Sequence, residues 1–155
     1  MIDNRIKKLV SKFKKYNIDG YIIPKNDEFF SEYAANDRLK TISNFTGSAG
    51  YSIILKKKNY LFVDGRYTIQ AKKESGKNFQ IIDFNKIINC SLFKNLSIGF
   101  DPRFFTSIQI KKFFYKNNKV KCIESNLIDQ IHKHKVKLTK PFFSLNNKVV
   151  GEDYK

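Results

Sequence analysis

The chain has 155 residues, and its 30 lysines and arginines against 14 aspartates and glutamates give a formal net charge of +16. Hydrophobic residues make up 41% of the chain, which is too many for a disordered basic tail. No apolar run approaches the roughly 20 residues that cross a bilayer, and the charged N-terminus lacks the apolar stretch of a secretory signal. We therefore expect one folded domain of a cytoplasmic protein with no membrane partner.

The positive charge allows two interpretations. The arginines are Arg5, Arg38, Arg66 and Arg103, so 30 minus 4 leaves 26 lysines among the basic residues. Lysine has A/T-rich codons, and a biased genome would enrich it without selection for an anionic partner. Nucleic-acid-binding proteins rely more on arginine, which binds bases and phosphates bidentately. We therefore expect no nucleic-acid partner, and the alternative is a stand-alone basic α/β module that binds nucleic acid or an anionic surface.

Cysteine and histidine offer little for a metal site. Cys90 and Cys122 form no CxxC motif, and without a secretion signal we expect both to be reduced, half-buried thiols. His132 and His134 could share a metal ion, but lysines flank them and no pattern of carboxylates accompanies them. The sequence therefore predicts no metal site in this chain.

The first fifty residues predict a helix, a strand and a second helix. Apolar residues at helical spacing in residues 6–13 indicate an amphipathic helix, and residues 21–23 predict a buried strand that Pro24 ends. Residues 34–45 are expected to be helical at their centre, and residues 46–50 to form a turn, here called the small-residue turn. The candidate caps are Asp3 or Asn4 for the first helix and Asn36 or Asp37 for the second.

The middle of the chain predicts a β-hairpin followed by a helix. Residues 51–55 and 60–63 are mostly apolar runs joined by the polar residues 56–59, as in a hairpin with a solvated turn. The segment Asp64-Gly65-Arg66 ends the second strand and opens a helix, which Gly76 is expected to end.

The rest of the chain alternates between strands and helices. Strands are expected at residues 79–82, 97–100 and 120–123, and helices at residues 106–115 and 127–131, the first of them capped by Thr106 or Ser107. Such alternation is typical of an α/β domain with helices packed on a mixed sheet. After His132 the composition changes, so we expect the domain to occupy residues 1–135. Residues 136–155 would form a linker and the start of a following domain that is absent from this chain.

A GxxG motif, Gly47-Ser48-Ala49-Gly50, lies in the small-residue turn. This is the spacing that clamps a nucleic-acid backbone in some RNA-binding domains, where it lies between helices. Here the motif leads into a strand, and we expect a tight turn.

The segment Asp64-Gly65-Arg66-Tyr67 is the stronger candidate for function. Gly65 is expected to let the backbone turn sharply, and Arg66 then stands at the start of a helix, where its charge opposes the helix dipole. This unfavourable position indicates a partner for Arg66. The partner is either Asp64 or Asp37 within the fold, or the carboxylate of a ligand.

Several blocks of the sequence stand in the order of a known family. They are Ile18-Asp19-Gly20-Tyr21-Ile22-Ile23-Pro24, Ser31-Glu32-Tyr33, Asp37-Arg38-Leu39, Phe45-Thr46-Gly47-Ser48-Ala49-Gly50, Phe62-Val63-Asp64-Gly65-Arg66-Tyr67, Ile98-Gly99-Phe100-Asp101-Pro102 and Asn126-Leu127-Ile128-Asp129-Gln130-Ile131. In this order the sequence resembles the N-terminal creatinase/prolidase-type domain of Xaa-Pro aminopeptidases, in their long three-domain form. The resemblance spans nearly the whole chain.

The resemblance implies a fold and an activity. The fold is α/β, a mixed β-sheet flanked by helices with a ribonuclease H-like motif, ahead of a second domain and a C-terminal catalytic domain. The activity is hydrolysis of the bond before a penultimate proline, with two divalent metal ions, usually manganese, whose ligands all lie in the catalytic domain. The parent protein would thus be a metal-dependent hydrolase, whereas this chain alone would have no catalytic residue, metal ligand or cofactor.

The resemblance also implies a role for the domain beside the active site. It would wall the substrate entrance and support homodimerisation, with the catalytic domain and peptides with a penultimate proline as partners. The residues that match the motif nearest that entrance are Asp64, Arg66 and Tyr67, preceded by Phe62. Arg66 is expected to bind substrate carbonyls or a C-terminal carboxylate, which suit a guanidinium. Three further residues are expected to brace the small-residue turn: Tyr33, Asp37 and Arg38.

Overall fold

A mixed six-stranded sheet forms the centre of the fold. The computed structural model describes residues 2–31, 33–88, 90, 92–114, 118–133 and 145–151. The strands are β1 (Gly20–Pro24), β2 (Gly50–Leu55), β3 (Asn59–Val63), β4 (Gln80–Asp83), β5 (Ser97–Phe100) and β6 (Lys119–Cys122). They lie in the order β4-β3-β2-β1-β5-β6, with β2 antiparallel to both of its neighbours and every other adjacent pair parallel.

Helices flank the sheet, as the alternation in the sequence predicts. Within the described residues they are α1 (Ile2–Tyr16), α2 (Arg38–Ser43), α3 (Thr68–Ser75), α4 (Ser107–Phe114), α5 (Leu127–Ile131) and α6 (Asn147–Val150). The predicted α/β class, a mixed sheet flanked by helices, is therefore confirmed. None of these helices is both long and apolar enough to cross a membrane.

Alternate residues of each strand face opposite sides of the sheet and build two cores. In β1, Tyr21 and Ile23 lie in one core and Ile22 in the other. The first core includes buried residues of α1, α2, α3 and α5, and the second includes those of α4 and is rich in aromatic side chains. At the centre of the second core the Tyr51 ring packs against the rings of Phe84, Phe105 and Phe113, at centroid distances of 5.2, 6.0 and 5.2 Å.

Capping residues determine where several helices begin and end. Asp37, one of the predicted caps of α2, accepts a hydrogen bond from the backbone N–H of Lys40 at 2.8 Å. Thr106 caps α4 and exchanges hydrogen bonds with Gln109 three residues later, which is a capping box. Gly76 ends α3 with a φ of 59°, which glycine adopts without strain. These three predictions are confirmed.

The turn after β3 is built differently from its prediction. Gly65 does not have a positive φ, and a Cβ at this position would meet no atom within 4 Å. The carboxylate of Asp64 makes the turn instead, because it accepts a hydrogen bond from the backbone N–H of Arg66 at 3.0 Å. The expectation that the freedom of Gly65 makes this turn is therefore wrong, since a turn capped by a carboxylate forms without a positive φ.

The residues expected to brace the small-residue turn mostly have other partners. Arg38 donates to both carboxylate oxygens of Asp129, from Nε at 2.9 Å and from Nη2 at 2.8 Å. Asp37 pairs with the Nζ of Lys25, and reaches the turn only indirectly, through the backbone hydrogen bond from Lys25 to Gly50. The prediction is therefore wrong for Arg38, because Asp129 binds its guanidinium, whereas Asp37 supports the turn only through Lys25.

Both cysteines are free thiols, but neither is half-buried. Cys90 is buried in the second core, whereas Cys122 is exposed because it lies on the edge strand β6. His134 and the domain boundary predicted at residue 135 lie outside the described residues.

Replacing Gly50 by alanine tests how closely β2 packs against β3. A Cβ at Gly50 would lie 2.9 Å from the backbone oxygen of Phe62, which cannot move unless β3 moves with it. We expect Gly50→Ala to lower the free energy of unfolding, measured with urea, by about 1–3 kcal/mol. Gly65→Ala is the matched control, since open space surrounds that position, and should leave stability unchanged or slightly higher. Equal losses in both variants would contradict the close-packing explanation.

Candidate functional site

Five strands end at the same edge of the sheet, here called the strand-end edge. β1, β3, β4, β5 and β6 point the same way, so their carboxyl ends meet there. β2 runs against them, so the small-residue turn that precedes it lies at this edge too. In open α/β sheets, ligands bind in the crevice outside the carboxyl ends of the strands. The strand-end edge is therefore the candidate site.

Three strands leave the sheet at this edge through the same kind of turn. Asp64 follows β3, Asp83 ends β4 and Asp101 follows β5. Each carboxylate accepts a hydrogen bond from the backbone N–H two residues later, at 3.0, 2.9 and 3.1 Å. The three aspartates thus satisfy backbone donors beyond the last residues of the strands.

Arg66 and Arg103 occupy equivalent positions in two of these turns but use their guanidinium groups differently. Arg103 donates from Nε and Nη2 to the two carboxylate oxygens of the buried Asp101, at 3.0 and 2.7 Å. Arg66 donates to Asp64 through Nε alone, at 2.9 Å, and its side chain is 78% exposed. Within the described residues, no hydrogen bond engages either terminal nitrogen of Arg66. Arg66 therefore keeps a fork that can bind a carboxylate bidentately.

The sequence left open whether Arg66 pairs with Asp64, with Asp37 or with a ligand, and within the fold its partner is Asp64. The hydrogen bond from the Arg66 side chain lowers the pKa of Asp64, and the same bond raises the pKa of Arg66. Both groups therefore stay charged near neutral pH. Because the pair is exposed to solvent, it contributes little to stability, and its charges remain accessible to a ligand. Asp37, the other candidate partner, is engaged by Lys25.

Tyr67 joins this pair to the small-residue turn. Its hydroxyl lies 2.9 Å from the Oγ of Ser48, and its ring meets the edge of Phe45 at a centroid distance of 5.9 Å. The guanidinium carbon of Arg66 lies 5.7 Å from the centroid of the Tyr67 ring, within the range of a cation–π contact. Tyr67 therefore holds Arg66 and Ser48 on one continuous surface.

Glu74 of α3 braces the other end of the small-residue turn. It accepts hydrogen bonds from the backbone N–H and the hydroxyl of Thr46, both at 2.7 Å, and from the amide of Gln70 at 3.0 Å. Partial burial would raise the pKa of Glu74, but these hydrogen bonds outweigh it and the pKa lies below its ordinary value. Sequence reasoning does not single out Glu74, although its four-residue spacing from Gln70 places both on one helix face.

The structure separates Phe62 from the other three candidate site residues. Asp64, Arg66 and Tyr67 lie together at the strand-end edge and reach solvent. Phe62 is 0% exposed and belongs to the second core, so its side chain could reach a ligand only if that core opened. The candidate contact surface therefore consists of Asp64, Arg66 and Tyr67, with Phe62 beneath it.

The described residues do not offer a donor set for a metal ion. No three side chains of histidine, cysteine, aspartate or glutamate come together in the part of the chain that the structure describes. The two divalent ions implied by the resemblance therefore find no fitting ligands among these residues.

Known proteins resemble this chain over most of its length. A family model described as the creatinase/prolidase N-terminal domain matches residues 5–130. A probable Xaa-Pro aminopeptidase P of Coprinopsis cinerea is 30% identical, covering 92% of this chain and 25% of its own length. Xaa-Pro aminopeptidase 2 of Rattus norvegicus is 31% identical, covering 81% of this chain and 20% of its own length. The chain thus spans at most about a quarter of these curated relatives.

Solved structures share the fold. An X-prolyl aminopeptidase of Caenorhabditis elegans, described as a cytosolic enzyme with a di-nuclear active site, superposes with a TM-score of 0.78 and 23% identity. It covers 98% of this chain, which corresponds to 29% of that protein. An N-terminal domain of a putative metallopeptidase of Corynebacterium diphtheriae superposes with a TM-score of 0.60 and 16% identity, covering 79% of this chain and 94% of that domain.

Protonation of Glu74 should loosen the small-residue turn. Because its folded-state pKa is lowered, Glu74 stabilises the fold above its unfolded pKa, and this contribution is lost as the pH falls through the folded pKa. We expect Glu74→Gln to lower the free energy of unfolding at pH 7 by roughly 1–2 kcal/mol, and the difference from the parent chain to vanish in acid. Urea unfolding from pH 7 down to pH 3 measures this. The exposed Glu124→Gln is the control, and a Glu74→Gln deficit that persisted in acid would contradict the carboxylate's role.

Proposed function

This chain belongs to the creatinase/prolidase N-terminal domain family, and we propose that it is the non-catalytic N-terminal domain of an Xaa-Pro aminopeptidase. Such an enzyme removes the N-terminal residue that precedes a penultimate proline. The family match over residues 5–130 carries this proposal. The names of the relatives supply the activity, and the small share of each relative that the chain spans supports a separate catalytic part.

The chemistry would reside in that catalytic part. We propose that it holds two divalent metal ions, manganese by preference, which activate the attacking water and polarise the scissile carbonyl. The di-nuclear active site of the Caenorhabditis elegans enzyme supports two ions, and its description as cytosolic supports a cytoplasmic location. The proposed partners of this chain are the C-terminal catalytic domain, peptides with a penultimate proline, and a second copy of the full-length protein in a homodimer.

The strand-end edge would form one wall of the substrate entrance. Arg66 suits this role because none of the described residues engages its terminal nitrogens, its charge is accessible, and Asp64 orients it through Nε. Tyr67 supports both through the ring contact with Arg66 and the hydroxyl contact with Ser48. A peptide carbonyl or terminal carboxylate would then accept hydrogen bonds from the Arg66 fork.

The alternative, binding of nucleic acid by the basic surface, has less support. Each of the four arginines has a partner within the chain: Asn44 for Arg5, Asp129 for Arg38, Asp64 for Arg66 and Asp101 for Arg103. Arg38 and Arg103 each bind an aspartate through two nitrogens, and a single exposed guanidinium at Arg66 does not form a cluster for contacts with bases or phosphates.

The proposal is tested by comparing this chain with the longer protein that contains it. We expect the longer protein to release the N-terminal residue from Ala-Pro-Phe, to lose this activity after chelation, and to regain it with Mn²⁺, because the metal ions supply the nucleophile. The 155-residue chain should release nothing under any of these conditions. Metal-dependent release by the chain alone would overturn its non-catalytic role.

Alanine variants of Arg66 and Arg103 should distinguish an effect on activity from an effect on stability. In the longer protein we expect Arg66→Ala to lower kcat/KM for Ala-Pro-Phe roughly tenfold, the size of one lost charge-assisted hydrogen bond, without changing the denaturation midpoint. Arg66→Lys should recover the charge but not the bidentate geometry, and should restore only part of the rate. Arg103→Ala is the matched control, because it should lower the midpoint and leave kcat/KM unchanged. Unchanged kinetics for Arg66→Ala would contradict a contact with substrate, and the role of Arg66 would then be limited to its pairing with Asp64.

A further inference from the structure

A cleft beside the small-residue turn extends the candidate site. Its volume is about 190 Å³. Aromatic side chains line one part of it and polar ones another: Phe30, Tyr51 and Phe84, and Lys25, Asn26 and Ser48. Lys25 is paired with Asp37, so the cleft itself carries no free charge from that residue.

The loop between β1 and α2 holds Phe30 at this cleft. The carboxylate of Asp27 accepts hydrogen bonds from the backbone N–H groups of Phe29 and Ser31, at 3.0 and 2.9 Å. Phe30 itself has a φ of 60°, which bulky side chains rarely adopt. Phe29 and Phe30 are 83% and 50% exposed. Two adjacent exposed aromatic side chains beside a cleft form an apolar patch, and such patches mark interaction sites.

The size of the cleft suits one side chain. Pockets for whole small molecules measure about 300–1,000 Å³, whereas an apolar cavity of about 150 Å³ holds a benzene ring. The rings of Tyr51 and Phe84 lie 5.2 Å apart between their centroids, tilted by 33°. Tyr51 is nearly buried and supports Phe84 from below, so an incoming aromatic or aliphatic side chain would contact chiefly the more exposed rings of Phe30 and Phe84.

Ser48 connects the cleft to Arg66. It lines the cleft, and its hydroxyl lies 2.9 Å from that of Tyr67, whose ring is in cation–π range of Arg66. A partly aromatic cleft for one side chain and the guanidinium of Arg66 for one carboxylate thus share a single surface. A peptide end carries both of these groups, an apolar side chain and a terminal carboxylate, within a residue or two of each other.

We infer that this cleft binds an apolar side chain of a peptide, beyond the proline, while the terminal carboxylate of that peptide lies on Arg66. The cleft would then set a preference for peptides with apolar carboxyl-terminal residues. The inference rests on the proposed function for its choice of peptide as the ligand, but binding can be measured without turnover.

The test titrates the 155-residue chain with Ala-Pro-Phe and Ala-Pro-Ser and follows backbone amide shifts by NMR. We expect Ala-Pro-Phe to bind roughly tenfold more tightly, with the shifts centred on residues 26–30, 48–51 and 66–67. Phe30→Ala should remove this preference, and Ala49→Leu, which adds bulk at a residue that lines the cleft, should do the same. Phe29→Ala is the matched control, because Phe29 is exposed beside the cleft but does not line it, and should keep the preference.

The contact with Arg66 is tested by a second pair of comparisons. Amidation of Ala-Pro-Phe removes the carboxylate and should weaken binding to the parent chain but not to Arg66→Ala. Equal binding of the two peptides, or equal losses in Phe29→Ala and Phe30→Ala, would overturn the inference. The inference would also be overturned if the variants changed self-association, measured by sedimentation, but not peptide binding. The cleft would then be a contact between two copies of the chain. Failure of the longer protein to hydrolyse Xaa-Pro bonds would overturn the proposed function, and a measured preference between the peptides would still stand.

Discussion

Where a strand leaves a sheet, its backbone N–H groups lose their partners, and this fold depends on the aspartates that replace them. Of these three aspartates, Asp101 accepts hydrogen bonds from the most residues. It is buried, it accepts hydrogen bonds from Arg103, and it also accepts one from the side-chain amide of Asn126 at 2.9 Å. Asn126 in turn caps α5 through the backbone N–H of Ile128. One carboxylate therefore connects the exit of β5 with the start of α5.

The same device serves a different purpose after β3. Asp64 accepts hydrogen bonds from the backbone N–H and the Nε of Arg66, and both side chains are exposed to solvent. Among the described residues, the contacts that position Arg66 use one side-chain nitrogen and leave its two terminal nitrogens available. The high net charge of the chain plays no part in this arrangement, because a single oriented guanidinium can select a carboxylate whereas dispersed lysines only attract anions in general.

Most elements of the fold are predictable because local signals agree with one another. Asp37 marks the start of α2 and Gly76 marks the end of α3, as the sequence predicts. The apolar spacing of α1 predicts a helix that packs on the core, but its expected caps, Asp3 or Asn4, are wrong because the helix begins at Ile2. The predictions fail where a contact is not local. The contact between Thr46 and Glu74 joins residues 28 positions apart, and no short pattern encodes it. The exposure of Cys122 is also mispredicted, because the four residues of its strand do not reveal that the strand lies at an edge of the sheet.

The candidate site is predictable only in part for a related reason. The segment from Asp64 to Tyr67 is continuous in sequence, so its residues are found together. The cleft gathers residues from the β1–α2 loop, the small-residue turn and the segment after β4, and these meet only because β2 runs against its neighbours. After β3, either the carboxylate of Asp64 or the flexibility of Gly65 could produce the turn. The structure shows that the carboxylate produces it.

The contrast between the two arginine turns has an evolutionary consequence. Arg103 is bound to a buried carboxylate, so a change there reaches the folding free energy directly, while Arg66 can be replaced with little effect on the fold. We therefore expect selection on position 103 to be dominated by the requirement to fold, and, under the proposed function, selection on position 66 to be dominated by the ligand that the exposed guanidinium binds. A lineage that changed its ligand could alter position 66 freely, and variation between orthologues at these two sites would record two separate pressures on one repeated turn.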